Sequence, residues 1–260
     1  LRLYPRVRRG DGDLGRQGGR GGSGGVSEVE RSSSAKLELS EKEFTTIIHR
    51  EIIADDPSVR SQFIALFESR LDQFAADMAN AISAWAKLHE LATVKNDREN
   101  LEWVAALAHT AIDLHIQSMK LLVSGHIVAS GNLFRQVIET ISLTLLCSNK
   151  STGVLLKFLD DKYSSTKAVG QVARDWKKLS LNKDAANALK EGRKFYDLYS
   201  HPTKLTIAAF LNFSNVIHYV GASFDEEKTQ EYEKEFSGRC SLGSQFENFI
   251  AAVIQNTERK

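Results

Sequence analysis

Arg135 and Glu139 are the charged residues whose types and spacing first suggest chemistry. They lie four residues apart in the mostly apolar run FRQVIETISLTLL, so on a helix their side chains share a face and can pair. A charge among apolar neighbours is costly unless it is paired. Two interpretations follow: a structural ion pair that fixes helix register, or a pocket in which Arg135, held by Glu139, binds phosphate or a carboxylate. Gly131, one turn earlier, would leave space for a ligand or another chain.

His201 is the second candidate, at the end of a helical run in the stretch YDLYSHPTK. The residue before a proline is disfavoured in the helical conformation, so the helix must end at Pro202. The partial negative charge at a helix C-terminus favours a protonated imidazole. With Lys194 or Arg193 on the same helix, His201 is a candidate for RNA cleavage by acid–base catalysis and charge stabilisation. The alternative is a capping histidine that binds a backbone carbonyl.

The other reactive residues do not indicate a metal or cofactor site. Cys147 and Cys240 are the two cysteines, and no CxxC or Cys/His ligand spacing accompanies them. His109 and His115 are six residues apart and fall on different helix faces, with His115 on an apolar stripe that predicts a core position. The sequence contains no hydrolase, metalloprotease, P-loop or dinucleotide-binding motif. We therefore expect no metal and no cofactor.

Helical periodicity covers most of the chain after residue 39. In the first long segment, apolar residues recur every three or four positions from Phe63 through Ile82 to Leu88, which predicts a core-facing helix. The third long segment is apolar around most of its circumference and should be central. Asn182 or Asp184 is the candidate N-cap of a later helix. The predicted helices cover residues 40–55, 58–92, 97–123, 126–148, 154–161, 166–178, 184–200, 225–236 and 244–259.

The predicted fold class is therefore all-α: an up-and-down helical bundle with three long central helices and shorter peripheral helices. Three prolines among 260 residues leave long uninterrupted segments, which also favours helices. The segment VIHYVGASFD favours either a short strand near residues 216–220 or an extended turn. Two aromatic-rich helix faces leave spare apolar surface, so we expect a homodimer.

The net charge, the hydropathy and the cysteine content indicate which partners and which cellular compartment to expect. The net charge is +1, so no bulk field favours nucleic acid or an anionic membrane. Charged residues interrupt every apolar run before it reaches the length of about 18 residues that spans a bilayer, and we expect no membrane partner. Two cysteines without a paired spacing fit a reducing compartment, so we expect a cytoplasmic protein.

Residues 1–39 form the first predicted region, a tail rich in glycine and arginine, and residues 40–260 form a single helical-bundle domain. The stretch LGRQGGRGGSGGV cannot bury enough surface to offset its ordering entropy, which predicts disorder. Three interpretations stay open: a flexible linker, an RNA-contacting tail whose arginines bind phosphate, or a segment foreign to the native protein. Ser40 and Glu43 have the spacing of a capping box at the start of the domain.

Two segments together resemble a known group of proteins. The run GNLFRQVIET, followed later by a helix end KFYDLYSHPT, is similar to uncharacterised bacterial all-helical proteins related to the HEPN group. The resemblance extends over residues 60–255. It implies a helical bundle that is commonly a dimer. For many HEPN proteins it also implies a metal-independent ribonuclease of toxin–antitoxin or phage-defence systems.

The catalytic motif of HEPN proteins is an arginine followed, after four to six residues, by a histidine late in a helix. Carried onto this chain, His201 matches the histidine, Lys194 has the permitted spacing but the wrong side chain, and Arg193 lies one residue too far upstream. Three functions therefore stay open. One is a HEPN-like, RNA-directed protein that uses His201 with Lys194 or Arg193, with Arg135 and Glu139 joining the site. The second is a non-enzymatic module that dimerises or binds a partner, and the third is the small-ligand pocket around Arg135.

Overall fold

The computed structural model describes residues 41–94, 98–213 and 217–259. The tail, Ser40 of the predicted capping box and the predicted boundary after residue 39 lie outside these residues. α-Helices occupy most of the described chain, as predicted. They are α1 (Glu41–Ile53), α2 (Pro57–Val94), α3 (Arg98–Val123), α4 (Ile127–Ser148), α5 (Val154–Leu159), α6 (Ala168–Asp175), α7 (Lys183–Tyr196), α8 (Lys204–Ala209), α9 (Thr229–Gly243) and α10 (Phe246–Glu258).

The three longest helices, α2, α3 and α4, follow one another and pack side by side, which confirms the all-α bundle. Short 3₁₀ turns extend several of the smaller helices. The helix predicted at 184–200 is α7 followed by a 3₁₀ turn at Asp197–Tyr199. The helix predicted at 225–236 starts with a 3₁₀ turn at Glu226–Lys228 and continues as α9 to Gly243, seven residues further than predicted.

Local signals fix where several helices begin and end. Asn182, and not Asp184, caps α7, because its Oδ1 accepts a hydrogen bond from the amide of Ala185 at 2.6 Å. Gly125 lies in the turn between α3 and α4 with φ at +80°, which L side chains rarely adopt. A Cβ at this position would also lie 2.6 Å from Cγ1 of Val59. Glycine therefore permits both the turn and the close approach of α2.

The apolar stripe of α2 lies in the core except at one position. Phe63 and Leu88 are fully buried, whereas Ile82 is 44% exposed. The buried residue in that turn is Ala81. A repeat of three and four residues drifts around a straight helix, so the line of contact moves from the predicted isoleucine to its smaller neighbour. The prediction that Ile82 faces the core is therefore wrong.

α4 is the central helix, as its apolar circumference predicted. It packs against α3, α6, α7 and α10, and every residue from Ile141 to Ser148 is buried. Two hydroxyls in this stretch bond the carbonyl four residues earlier, Ser142 at 2.8 Å and Thr144 at 2.7 Å. Their polar atoms are thereby satisfied without leaving the helix.

A two-residue strand, β2 (Ile217–His218), lies inside the segment for which a short strand was predicted. It pairs in antiparallel register with β1 (Leu211–Asn212), so that Leu211 lies opposite His218. β1 and α8 both come from the apolar segment LTIAAFLNF, whose helix and strand were not predicted. The hairpin follows directly on the end of α8, close in sequence to His201.

Candidate functional site

Arg135 lies on α4 and contacts one group on its own helix and two just beyond the end of α7. Its Nη2 is 3.1 Å from Oε1 of Glu139, and its Nη1 donates to the hydroxyl of Ser200 at 2.8 Å. Its Nε is 3.0 Å from Oδ1 of Asp197, close enough for an ion pair but not aligned for a hydrogen bond. The guanidinium therefore bridges α4 to the end of α7.

Arg193, on α7, binds the same two carboxylates. Its Nε donates to Oε1 of Glu139 at 3.1 Å, and its Nη1 lies 3.4 Å from Oδ2 of Asp197. We call these four residues, Arg135, Glu139, Arg193 and Asp197, the surface charge cluster. Two positive and two negative side chains cancel in it, and each carboxylate faces both arginines.

The local fold explains why the cluster forms. Arg135 and Glu139 are one turn apart on α4, and Arg193 and Asp197 are one turn apart across the end of α7. The 3₁₀ turn that follows α7 then brings Ser200 to the cluster. The four charged side chains are between 11% and 33% exposed, so water reaches the cluster from one side.

A side-chain amide holds the end of this turn. The hydroxyl of Ser200 donates to Oδ1 of Asn132 at 2.8 Å, while Nδ2 of Asn132 donates to the carbonyl of Tyr199 at 3.0 Å. Gly131 has a different role from the predicted ligand space. A Cβ there would lie 2.6 Å from the ring of Tyr199, so the glycine accommodates an aromatic side chain of its own chain.

Among the described residues, the ring of His201 makes no hydrogen bond or ion pair, and the side chain is exposed. Its backbone carbonyl accepts from the hydroxyl of Thr206 at 2.8 Å. The hydroxyl of Thr203, and not the imidazole, binds the carbonyl of Leu198 at the helix end, at 2.9 Å. The interpretation of His201 as a capping histidine is therefore wrong, because a downstream threonine already supplies that bond.

The predicted catalytic residues face different surroundings. Lys194 is exposed and makes no ion pair or hydrogen bond within the described ranges. Arg193 is paired with Glu139 and Asp197, as given above. Arg135 contacts Ser200, the residue that precedes His201. The structure thus brings Arg135, Glu139 and Arg193 together, and it places His201 next in sequence to their hydroxyl partner.

A second charged network, which the sequence reasoning missed, lies inside the bundle. Arg239 on α9 is fully buried, and its Nη1 binds Oε2 of Glu235 at 2.7 Å while Nη2 donates to the hydroxyl of Ser130 at 2.6 Å. The hydroxyls of Tyr196 and Tyr199 donate to Glu235 at 3.1 and 2.8 Å. We call these five residues the buried arginine network.

The buried arginine network keeps its charges away from water. Burial raises the pKa of Tyr196 and of Tyr199 far above the ordinary range, so both phenols stay protonated and donate. The guanidinium of Arg239 lies 4.7 Å from the centre of the Phe134 ring, a cation–π contact. Its Nε is the one nitrogen of this group without a partner among the described residues.

His115 completes the interior, at the core position that its stripe predicted. It is fully buried, and its Nε2 lies 3.0 Å from the carbonyl of Arg239. The ring is stacked between Phe134 and Phe246 and meets Phe74 edge-on. Burial, together with the positive charge of Arg239, lowers its pKa to about 3. His115 is thus neutral at physiological pH.

A weak sequence signal for the buried network does exist. The buried positions of α9 are Tyr232, Glu235, Phe236, Arg239 and Gly243, which recur at the spacing of one helix face. Two aromatic residues on that face mark it as inward. The run around them is mostly polar and charged, and charged residues are rarely fully buried, so composition alone does not indicate a buried face.

Comparison with protein-family models, curated proteins and solved structures found no match to this chain. The function is therefore inferred from the fold and from the geometry of the site.

The described residues contain neither a candidate metal site nor a candidate membrane-spanning helix. No group of three or more His, Cys, Asp or Glu side chains in them is placed to hold a metal ion. Burial raises the pKa of the Cys147 thiol to about 12, which makes it a poor nucleophile and ligand. Across the described ranges, every helix is too short or too polar to cross a bilayer.

Proposed function

We propose that the protein is a non-enzymatic helical module that dimerises through an apolar surface at the end of α7. Exposed apolar side chains on consecutive elements are typical of protein-binding sites. Five large apolar side chains, each 42–49% exposed, form what we call the α7–α8 surface, and their exposure is the observation that carries the proposal. They are Phe195, Leu198, Ile207, Phe210 and Phe213.

The backbone beneath the α7–α8 surface is held in place. The hydroxyl oxygen of Thr206 lies 3.0 Å from the carbonyl oxygen of Leu198 and 2.8 Å from that of His201. Its single proton is shared between these two acceptors, which ties α8 to the end of α7. The ring of Phe195 packs edge-on against that of Tyr196, with 5.0 Å between their centres. A surface that is already ordered loses little conformational entropy when it binds, which supports a docking role.

A second copy of the chain is the partner that we propose. In a twofold-symmetric dimer the same surface serves both subunits, so one exposed apolar surface is enough to build the interface. The resemblance to HEPN proteins, which are commonly dimers, supports the same partner. The surface charge cluster then has a structural role, because its arginines and carboxylates neutralise one another and hold the helix end that presents Phe195 and Leu198.

Charged substitutions within the α7–α8 surface test this proposal. We expect the double variant Leu198→Asp, Ile207→Asp to turn a dimer into a monomer, measured as molar mass by light scattering after size-exclusion chromatography. The matched control is Leu156→Asp on α5, where the side chain is 65% exposed and lies outside the surface. It should leave the molar mass unchanged. A double variant that is folded and still dimeric contradicts the proposal.

The second candidate function is a HEPN-like, metal-independent ribonuclease in a defence or toxin system. The exposed ring of His201 favours it, since this histidine follows the serine that binds Arg135. In that mechanism the imidazole removes the proton of a ribose hydroxyl, and Lys194 or Arg193 stabilises the developing negative charge. The pairing of Arg193 with two carboxylates opposes it, because a neutralised guanidinium attracts phosphate weakly.

RNA cleavage in the presence of a chelator separates the two functions. The ribonuclease mechanism requires that the wild-type chain cleave tRNA or mRNA, and that His201→Ala remove the activity while Lys194→Ala reduces it. Circular dichroism confirms that each variant is folded. The dimerisation proposal expects intact RNA with all three proteins and no toxicity when the chain is expressed in cells.

A further inference from the structure

A groove with a volume of about 630 Å³ runs along α4, with α7 on one side and α9 and α10 on the other. Its floor consists of one face of α4, at residues spaced four, three and four apart. With a rise of about 1.5 Å per residue, this face is about 16 Å long. The floor residues are Phe134, Ile138, Ile141 and Leu145.

The groove stays open because small residues line its walls. α7 packs on α4 and α6, while α10 packs on α4 and α2. The residues that α7 turns towards the groove include Ala185, Ala188 and Gly192, and α9 contributes Gly238. A Cβ at Gly192 would lie only 3.1 Å from Cδ1 of Ile138, so glycine lets α7 approach the floor closely at this point.

No charged side chain is found among the lining residues that the structure describes. The nearest buried charges, those of Arg239 and Glu235, lie behind the rings of Phe134 and Tyr196. The hydroxyl of Tyr196 is occupied by Glu235, so the tyrosine offers its ring to the groove. An ion inside the groove would lose its hydration without gaining a counter-charge, which excludes charged ligands from its length.

The two ends of the groove differ. At the Phe134 end, the rings of Phe134, Tyr196 and Phe246 form an apolar wall. The polar lining residues of α9, of α10 and of the turn between them are exposed: Ser241, Gln245 and Asn248. Ser180 and Asn182 lie at the other end. Their position follows from two hydrogen bonds: Ser180 donates to Asn256, and Asn256 donates to Ser148, three residues after Leu145 on α4. Nδ2 of the exposed Asn182 makes no hydrogen bond to any described residue. One end is therefore suited to a tail and the other to a hydrogen-bonding head.

We propose that this groove binds a linear, mainly apolar molecule with an uncharged polar head, such as an alkyl alcohol or an acyl amide. The volume falls within the range of small-molecule sites. The tail lies on the α4 floor and ends at Phe134 and Tyr196, and the head accepts a hydrogen bond from Asn182. This ligand site is separate from the α7–α8 surface, and it does not depend on the dimer.

Calorimetric titration with decanol and with decanoate tests the proposal, since the two share a tail and differ in the charge of the head. We expect saturable binding of decanol and at least about tenfold weaker binding of decanoate. Ala188→Phe should fill the groove and lower the affinity for decanol by at least about tenfold. The matched control is Asn187→Phe, at an exposed neighbour on α7 outside the groove, which should bind decanol as the wild type does.

Three results would overturn the ligand site. One is the lack of saturable decanol binding by the wild type, and another is equal binding by Ala188→Phe and Asn187→Phe when both are folded. The third is a dimer that Ala188→Phe dissociates and Asn187→Phe does not, which would assign the groove to a subunit interface instead. The Leu198→Asp, Ile207→Asp variant should still bind decanol, so failure of the dimer and failure of the ligand site are distinguishable.

Discussion

The surface charge cluster and the buried arginine network use the same helix end but differ in their access to water. The stretch YDLYS, residues 196–200, supplies side chains to both groups. Asp197 and Ser200 turn outward to Arg135, while Tyr196 and Tyr199 turn inward to Glu235. In the cluster the side chains are up to 33% exposed, whereas in the network the guanidinium of Arg239 is fully buried.

The difference in hydration determines how much free energy is lost when the partner of each charge is removed. A partly hydrated ion pair contributes little, because water solvates either partner after the other is removed. A buried charge without its partner has no such compensation. Three of the predicted site residues, Arg135, Glu139 and Arg193, therefore belong to the surface charge cluster, where loss of a partner costs less. The fold depends more on the buried arginine network, which sequence reasoning missed.

Removal of Glu235 should have the largest effect. Glu235→Ala leaves the buried Arg239 without its carboxylate and two tyrosines without an acceptor, so we expect a loss of about 3–5 kcal/mol in the free energy of unfolding. Denaturant titration followed by circular dichroism measures it. The double variant Glu235→Leu, Arg239→Met removes both charges and should be more stable than Glu235→Ala. If it is less stable, the buried charge is not the cause of the loss.

Gly131 on α4 makes room for the ring of Tyr199, a member of the buried arginine network. Gly131→Ala should destabilise the fold by about 1–3 kcal/mol, since a Cβ would overlap the tyrosine ring. Gly170→Ala on α6 is the matched control, because no atom lies within 4 Å of its added Cβ. That change should stabilise the helix by about 0.5–1 kcal/mol. Equal effects of the two substitutions would show that Tyr199 moves aside freely.

His115 should make the free energy of unfolding of the protein depend on pH. Burial lowers its pKa to about 3 from an ordinary 6.5, so between these values the unfolded chain binds a proton that the folded chain does not. Stability contributed by His115 is complete above about pH 6.5 and falls by up to about 1.4 kcal/mol per pH unit as the pH decreases towards 3. Urea titrations of the wild type and His115→Phe at pH 7.5 and 5.5 measure the difference. Parallel losses in both proteins would contradict this assignment.

The surface charge cluster should give the smallest effect. Asp197→Ala removes one of two carboxylates from a partly exposed group, so we expect a loss of at most about 1 kcal/mol. A double-mutant cycle with Arg193→Ala isolates the coupling between these two side chains. The coupling should weaken in high salt, because exposed charges are screened. A loss as large as that of Glu235→Ala would remove the contrast between the two networks.

Much of the fold follows from periodicity. Apolar residues three and four apart predicted the long helices to within about three residues, and the breaks at Gly125 and Pro202 marked real turns. The stretch after Pro202 was harder, since a six-residue helix and a two-residue strand have too few positions to show a period. Their placement depends on contacts with α7 and with the hairpin partner.

The candidate site was only partly predictable. The spacing of Arg135 and Glu139 indicated one shared face, but their second partners, Arg193 and Asp197, come from a helix more than 50 residues later. The residue spacing within one segment does not show which other helix that segment contacts. Burial of Arg239 was hidden for the same reason, because its partner Ser130 lies on α4 and its carboxylate partner Glu235 is bound by tyrosines at the end of α7.

The molar mass of the wild-type chain in solution tests the proposed function most directly. Light scattering over a hundredfold range of concentration should give twice the 29.0 kDa of one chain, with dissociation only at the lowest concentrations. A mass of one chain throughout that range would contradict the assignment of the α7–α8 surface as a dimer interface.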